Sequence, residues 1–428
     1  MLKIKLLFIF FILSIFSFSI LFSNTIIVNV NGGDYTTIQE GIDASENGDT
    51  VLVYSGTYYE NVNFNGKSIT LASLELLTGN ESYIDSTVID GNQNGSCIRL
   101  DNEETAVIRG FSITNGFGDW KVVQTRGGGI LVYTSTFDEN KINISIINCK
   151  LYNNYAEGGG GIIIRKSNAY LSGVDIYNNY ANFGGGIYVR DDSELIFDEM
   201  NRCNIYNNYA GQACDMLGID TWDIDIIVDT FTVFEPLGYF AEYINNVHYP
   251  GSFTFDIQHN WLETVNHDLY VATDGDDSNS GLTPNEPLRT IVWALHKIES
   301  DSLNPKTVFV AEGTYSGSLN GQIFPLGIKS YVSLIGENIS TILLNDTNIT
   351  EMIVSSNYFH DYCIENFAVH SLNDNTNVIL LIWEDNRNIT LKNIIIEDCI
   401  SNDHQISFVY KTSDILYENV IFRNNTAP

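Results

Sequence analysis

LYNNYAEGGGGI, Leu151–Ile162, is followed 25 residues later by IYNNYANFGGGI, Ile176–Ile187. A glycine run behind a strand-like segment reads either as a phosphate cradle or as a building unit. A phosphate loop occurs once and carries GK[ST] after its glycines. Here no GK[ST] follows, and the unit recurs: GFSITNG from Gly110, NCKLYNNYA from Asn148, GVDIYNNYA from Gly173 and CNIYNNYA from Cys203. It returns as NFAVHSLND from Asn366, NIIIEDCIS from Asn393 and NVIFRNNTA from Asn419. The glycines belong to the repeat.

The second apolar position of each copy is Ile113, Leu151, Ile176, Ile205, Val369, Ile396 and Phe422, with gaps of 38, 25 and 29 and then 27 and 26 residues. Each copy alternates apolar, variable, apolar, the period of a strand with one buried face. A unit of about 25 residues with short strands and no amphipathic helix suits one coil of a parallel β-solenoid. Coils then stack at roughly 4.8 Å, so that like residues lie over like. The Asn pairs 153–154, 178–179, 207–208 and 424–425 fall just past the strand, where Asn tolerates left-handed turns and stacked amides hydrogen-bond along the axis. Glycines 158–161 and 184–186 take the next corner. Cys149, Val174 and Cys203 share one inward position. Two coils, roughly 10 Å, separate the cysteines, too far for a disulfide, and they read as small buried hydrophobes.

At a coarser level, DTVLVYSGTYYENV from Asp49, with KSITLAS and STVIDGN behind it, is echoed by KTVFVAEGTYSGSL from Lys306, with KSYVSLIGE and STILLND behind it. A helix-like piece precedes each: YTTIQEGIDASENG from Tyr35 and PLRTIVWALHKIES from Pro287. The expected organisation is a first solenoid over 24–214, a β-rich closing segment over 215–265 that loses the coil register, and a second solenoid over 266–428. Each solenoid has a short N-terminal capping helix. The last copy stops at Pro428 where the precedents call for another corner, so a truncated second unit is expected.

Residues 1–23 have the pattern of a secretory signal: Lys3 and Lys5, an apolar centre from Leu6 to Phe16, then serines. Contact with a membrane is expected only through that segment or a missing C-terminal region. With 21 Lys and Arg against 53 Asp and Glu, the formal net charge of −32 disfavours nucleic acid and anionic lipid surfaces. The six cysteines show no metal-ligand spacing with the seven histidines.

The heads and coils resemble right-handed parallel β-helix proteins of the pectate-lyase-like superfamily. YNNYAxxGGGI is similar to the NN…GGG repeats of polymorphic outer-membrane and related bacterial surface proteins. LYVATDGDDSNSGLTPNEPLRTI resembles the opening strand and turn of many secreted β-helix proteins. The resemblance implies an extracellular or cell-surface protein and, for its enzymes, breakdown of acidic polysaccharide. The polygalacturonase set of NTD, a DD pair, GHG and RxK is not assembled: there is no GHG, and Asp191–Asp192 and Asp276–Asp277 stand alone.

Other residues invite a binding role. Arg165 and Arg190 follow GIII and GIYV 25 residues apart and are expected side by side, suited to a uronate or to a local carboxylate such as Asp191 or Asp192. Tyr152, Tyr177 and Tyr206 form an outward ladder that stacks either on sugar rings or on itself. Trp120 lies in the longest inserted loop. Asp274, Asp276 and Ser278 alternate as in a calcium loop, but the sixth and twelfth places hold Asn279 and Asn285 instead of glycine and an acid. Calcium is the one cofactor these residues bring into question. The functional expectation is a secreted or surface β-helix scaffold for adhesion or glycan contact, without catalysis. The alternatives are a polysaccharide lyase or glycoside hydrolase, and a passenger or spacer with no ligand of its own.

Overall fold

The computed structural model describes residues 23–118, 127–134, 141–244, 251–346, 351–355, 359–372, 378–382, 386–400, 407–409 and 414–426. It is a parallel β-solenoid of about 13 turns with few helices. Every strand pairing is parallel, and each joins a strand to its counterpart about one coil away. The segment expected to be the signal sequence lies outside the described residues, save Ser23. Among the described residues no helix is long and apolar enough to cross a membrane.

The repeat marker sets the register. Ile113 pairs with Leu151, Leu151 with Ile176, and Ile176 with Ile205. In the later copies Val369 pairs with Ile396, and Ile396 with Phe422. Ile113, Leu151, Ile176 and Ile205 are fully buried, because alternate side chains of a short strand all point into the coil. All six cysteines are free, and Cys149, Val174 and Cys203 lie buried inside the stack as small apolar groups.

At each corner the two asparagines divide the work. The first, Asn153, Asn178 or Asn207, sits at φ +54, a left-handed turn that Asn tolerates better than a branched residue does. The second, Asn154, Asn179 or Asn208, is fully buried and hydrogen-bonds along the axis. Asn154 Nδ2 donates to Asn179 Oδ1 at 3.0 Å, and Asn179 Nδ2 donates to Asn208 Oδ1 at 3.0 Å. The same amides donate to the strand carbonyls of Ile113 (3.0 Å) and Leu151 (2.8 Å). Asparagine suits the position because one side chain both donates and accepts. At the glycine corner a Cβ on Gly160 would lie 2.5 Å from Gly185 O, and one on Gly185 2.5 Å from Cys214 O, so backbone stacks directly on backbone.

Residues 215–265 differ from the expectation that the register is lost. Met216–Ile219 and Ala241–Ile244 extend the sheet of Ile187–Arg190, while Ile224–Phe231 and Phe253–Asn260 extend that of Cys203–Tyr206. A register shift between Cys203 and Asn204 and the absence of the NNYA and GGG corners hide these coils from a motif search. The strands from Thr25 to Asn260 form four sheets, and those from Leu269 to Arg423 form two more.

The helices are shorter than the sequence pattern implies: Ile38–Ala44 and Ile291–Lys297. Thr37 and Thr290 hold the N-cap in extended geometry, each accepting from a backbone N–H of the first turn, so helix begins only behind them. Ile38 and Ile42 are buried, and a Cβ on Gly41 would lie 2.6 Å from Val28 Cγ2, which seats the first helix over the opening strands. Glu75–Thr78, Ser82–Ser86 and Gly317–Asn320 are short helices without a repeat signature.

Asn179→Ala strands buried partners on both neighbouring coils, and urea unfolding is expected to show a loss of about 3 kcal/mol. Asn153→Gly keeps the left-handed turn and is expected to stay within about 0.5 kcal/mol of the parent in the same measurement.

Candidate ligand cleft

Arg165 and Arg190 are register neighbours. Asp191, on a turn at φ +58, lies between them: Oδ2 is 2.5 Å from Arg165 Nε and Oδ1 is 3.2 Å from Arg190 Nε. Each guanidinium also rests near a ring, Arg165 over Tyr133 of the preceding coil at 5.2 Å and Arg190 over Tyr188 of its own strand at 5.7 Å. Asp192 is held by Lys141 Nζ at 3.0 Å and Trp222 Nε1 at 2.6 Å. The stacked positive charges therefore carry their counter-charge within the protein, and a uronate would have to displace Asp191.

Tyr152, Tyr177 and Tyr206 stack at 5.4 Å centroid spacing with interplanar angles of 10° and 4°. Trp261 continues the row from Tyr206 at 5.7 Å and 23°. The ring faces within this row are turned to one another, so edges and hydroxyls meet solvent. Sequence reading missed Trp261 because it follows strand Phe253–Asn260, whose register no motif announces. Trp120 lies outside the described residues.

Asp276 accepts from the backbone N–H of Ser278 at 2.9 Å and from its hydroxyl at 2.8 Å, a local turn. The neighbouring Asp277 accepts from Arg289 N and Thr290 N, both at 2.9 Å, and so fastens the turn to the start of the Ile291–Lys297 helix. Asp274 lies in the preceding turn, closed by Gly275 N donating to Ala272 O at 2.9 Å, whereas Asn279 N donates to Asp276 O at 2.9 Å in the next. Among the described residues no group of three or more His, Cys, Asp and Glu side chains converges on one point.

The sequence gives no hint of how the later strands meet the earlier ones. Strand Tyr209–Gln212 faces Leu326–Ile328 and Glu351–Ser355. A Cβ on Gly211 would fall 2.6 Å from Val354 Cγ2, and one on Gly327 would fall 2.9 Å from Gly211 O. Beside this seam lies a buried polar cluster. His296 Nε2 is 3.2 Å from Asn208 O, on the last asparagine rung, and its ring is 4.8 Å from that of Tyr209. Its Nδ1 faces Tyr239 Oη at 3.3 Å and Val292 O at 3.0 Å. Both ring nitrogens thus face a backbone carbonyl, and a neutral imidazole donates to one of the two, Asn208 O or Val292 O. Burial, and then the neighbouring Lys329, lowers the imidazole to about 4. Lys329 Nζ donates to Ile298 O at 2.8 Å and sits 4.3 Å from the Tyr239 ring centre; burial brings its ammonium down to about 7. Asp215 accepts from Asn208 Nδ2 at 3.0 Å, and burial lifts its carboxyl to about 7.

Over Lys329 opens a cleft of about 1160 Å³ between the two sets of sheets. Its apolar wall includes Phe234, Leu237, Phe255 and Phe359, with Phe234 54% and Leu237 65% exposed. Its acidic lining is Glu235, Glu242, Glu263, Glu299 and Asp301, against the single basic residue Lys329. Gln212 Nε2 donates to Glu242 at 2.9 Å and Thr264 Oγ1 to Glu299 at 3.0 Å. None of the residues singled out in the sequence for binding lines this cleft.

Residues 273–426 match the family described as a protein of unknown function (DUF1565), a family of right-handed β-helix proteins. The match runs from the opening turn through the last described coil, and the pectate-lyase-like resemblance is consistent with it. No curated protein matches the chain.

The buried imidazole makes stability depend on pH. Above the ordinary value of 6.5 it is neutral folded and unfolded; below that, only the unfolded chain takes up the proton until about 4. Its contribution is thus complete above 6.5 and falls by about 3 kcal/mol as pH drops to the folded value. Denaturant midpoints of the parent and His296→Gln at both pH values are expected to show a weaker acid dependence in the variant.

Proposed function

We propose that this is a secreted or cell-surface β-helix protein that does no catalysis and serves as a scaffold for glycan contact. In this reading residues 1–23 direct export. The coils form two tandem stacks, each headed by a short helix over its first strands, and the cleft beside their seam is the contact site. One observation carries the proposal: a cleft of about 1160 Å³ that holds Phe234, Leu237, Glu235 and Glu263 open to solvent, on a molecule whose other aromatic and charged ladders are satisfied by their own neighbours. Aromatic walls with a few polar groups are what a sugar polymer needs, since its ring faces are apolar and its edges hydroxylated.

A polysaccharide lyase or hydrolase is the second reading, and Lys329 favours it. An amine that titrates near neutrality beneath a cleft has the protonation behaviour of a general base. Against it, Lys329 Nζ is committed to the backbone carbonyls of Ile298 and His296 and lies only 4% exposed.

Retention on a glycan array tests the scaffold, and release of unsaturated or reducing ends from the same glycans tests catalysis. The expected result is retention without release, weakened about tenfold by Phe234→Ala with Leu237→Ala, since each removes open apolar surface without creating a cavity. Product release would overturn the non-catalytic reading. Absence of retention would leave a spacer.

A further inference from the structure

We propose that the cleft takes a cationic glycan, a polymer of amino sugars with free ammonium groups; this rests on the glycan-contact reading above. Five carboxylates line the cleft, and its one basic residue is turned inward onto backbone carbonyls and the Tyr239 ring. Among the described residues neither Glu235 nor Glu263 lies within ion-pair distance of a Lys or Arg, and both are exposed. With a net charge of −32 behind them, these groups repel a polyanion before contact and concentrate a polycation. An ammonium would gain charge-assisted hydrogen bonds to the carboxylates.

The apolar wall argues for sugar over a basic peptide. Phe234 is 54% exposed and stacks on no ring among the described residues, so its face stays available, while Phe255 is braced by T-shaped contacts with Phe231 and Phe253. The tyrosine row, by contrast, covers its faces itself. An extended peptide would need backbone groups to pair with, but the N–H groups of Leu262, Glu299 and Tyr331 in these walls already donate to Thr232 O, Val265 O and His360 O. What remains is side-chain chemistry: open rings beside carboxylates.

The test is titration calorimetry on the full chain with a glucosamine hexamer, its N-acetylated counterpart, polygalacturonate and hexalysine. The glucosamine hexamer is expected to bind at least about tenfold more tightly than the acetylated one, the worth of one charge-assisted contact. That preference should shrink between ~20 mM and ~300 mM salt, where screening shortens from tens of ångströms to a few. Glu235→Gln with Glu263→Gln is expected to abolish it, with an unchanged thermal midpoint showing that the fold persists. Equal binding of both hexamers, or tight binding of polygalacturonate, overturns the cationic preference and leaves glycan contact standing. Binding of hexalysine alone overturns both in favour of a peptide site, and no binding of any glycan refutes the scaffold reading itself.

Discussion

The fold depends on keeping backbone polar groups satisfied where the chain turns inside a dry stack. A strand pairs its N–H and C=O groups with the coils on either side, and Asn153 N still donates to Asn178 O at the corner. One residue on, the ladder breaks: Asn154 N donates to the side chain of Asn179, and the carbonyls of Ile113 and Leu151 are left to side-chain amides. Asn154, Asn179 and Asn208 fill the gap, each donating to a strand carbonyl, and the first two also to the amide oxygen of the next coil. Such a row must end, and its last amide still needs an acceptor. Asp215 supplies one as an amide-shaped side chain with oxygen on both arms. Burial raises that carboxyl toward neutrality, so the row terminates without a fully committed buried charge.

The seam between the two sets of sheets begins at that last rung. The carbonyl of Asn208 meets His296, a residue 88 positions later, and the glycines at 211 and 327 let the facing strands approach to backbone contact. Tyr239 and Phe240 enclose Lys329 in the same region, and its ammonium is held by carbonyls and rings, with no carboxylate in ion-pair contact among the described residues. These faces meet closely at Gly211 and Gly327, and residues 233–240 line the cleft between the two sets of sheets.

A periodic surface tends to use up its own chemistry. When every coil places tyrosine at one position, each ring finds a ring above it; when two coils place arginine there, an aspartate from the following turn settles between them. The repeat therefore makes ladders that are stable and chemically quiet. Open apolar side chains and the exposed carboxylates Glu235 and Glu263 collect where periodicity fails, over residues 233–240 and 260–264 and against the second set of sheets.

The register was legible in the amino-acid order: apolar alternation, the Asn pair and the glycine corner repeat at coil length, and a strand's two-residue period leaves one arrangement that buries Leu151, Ile176 and Ile205 together. Those are local constraints, and local patterns record them. The continuation through 215–265 was hidden, since a register shift and unfamiliar corners erase the pattern without ending the pairing. The closure of the Arg165–Arg190 pair by Asp191 could be anticipated from adjacency, whereas the addition of Trp261 to the tyrosine row could not. The seam, the buried His296–Lys329 cluster and the cleft were decided only in three dimensions. They join residues tens of positions apart with no shared period, and no spacing along the chain encodes which face of one stack meets which face of the other.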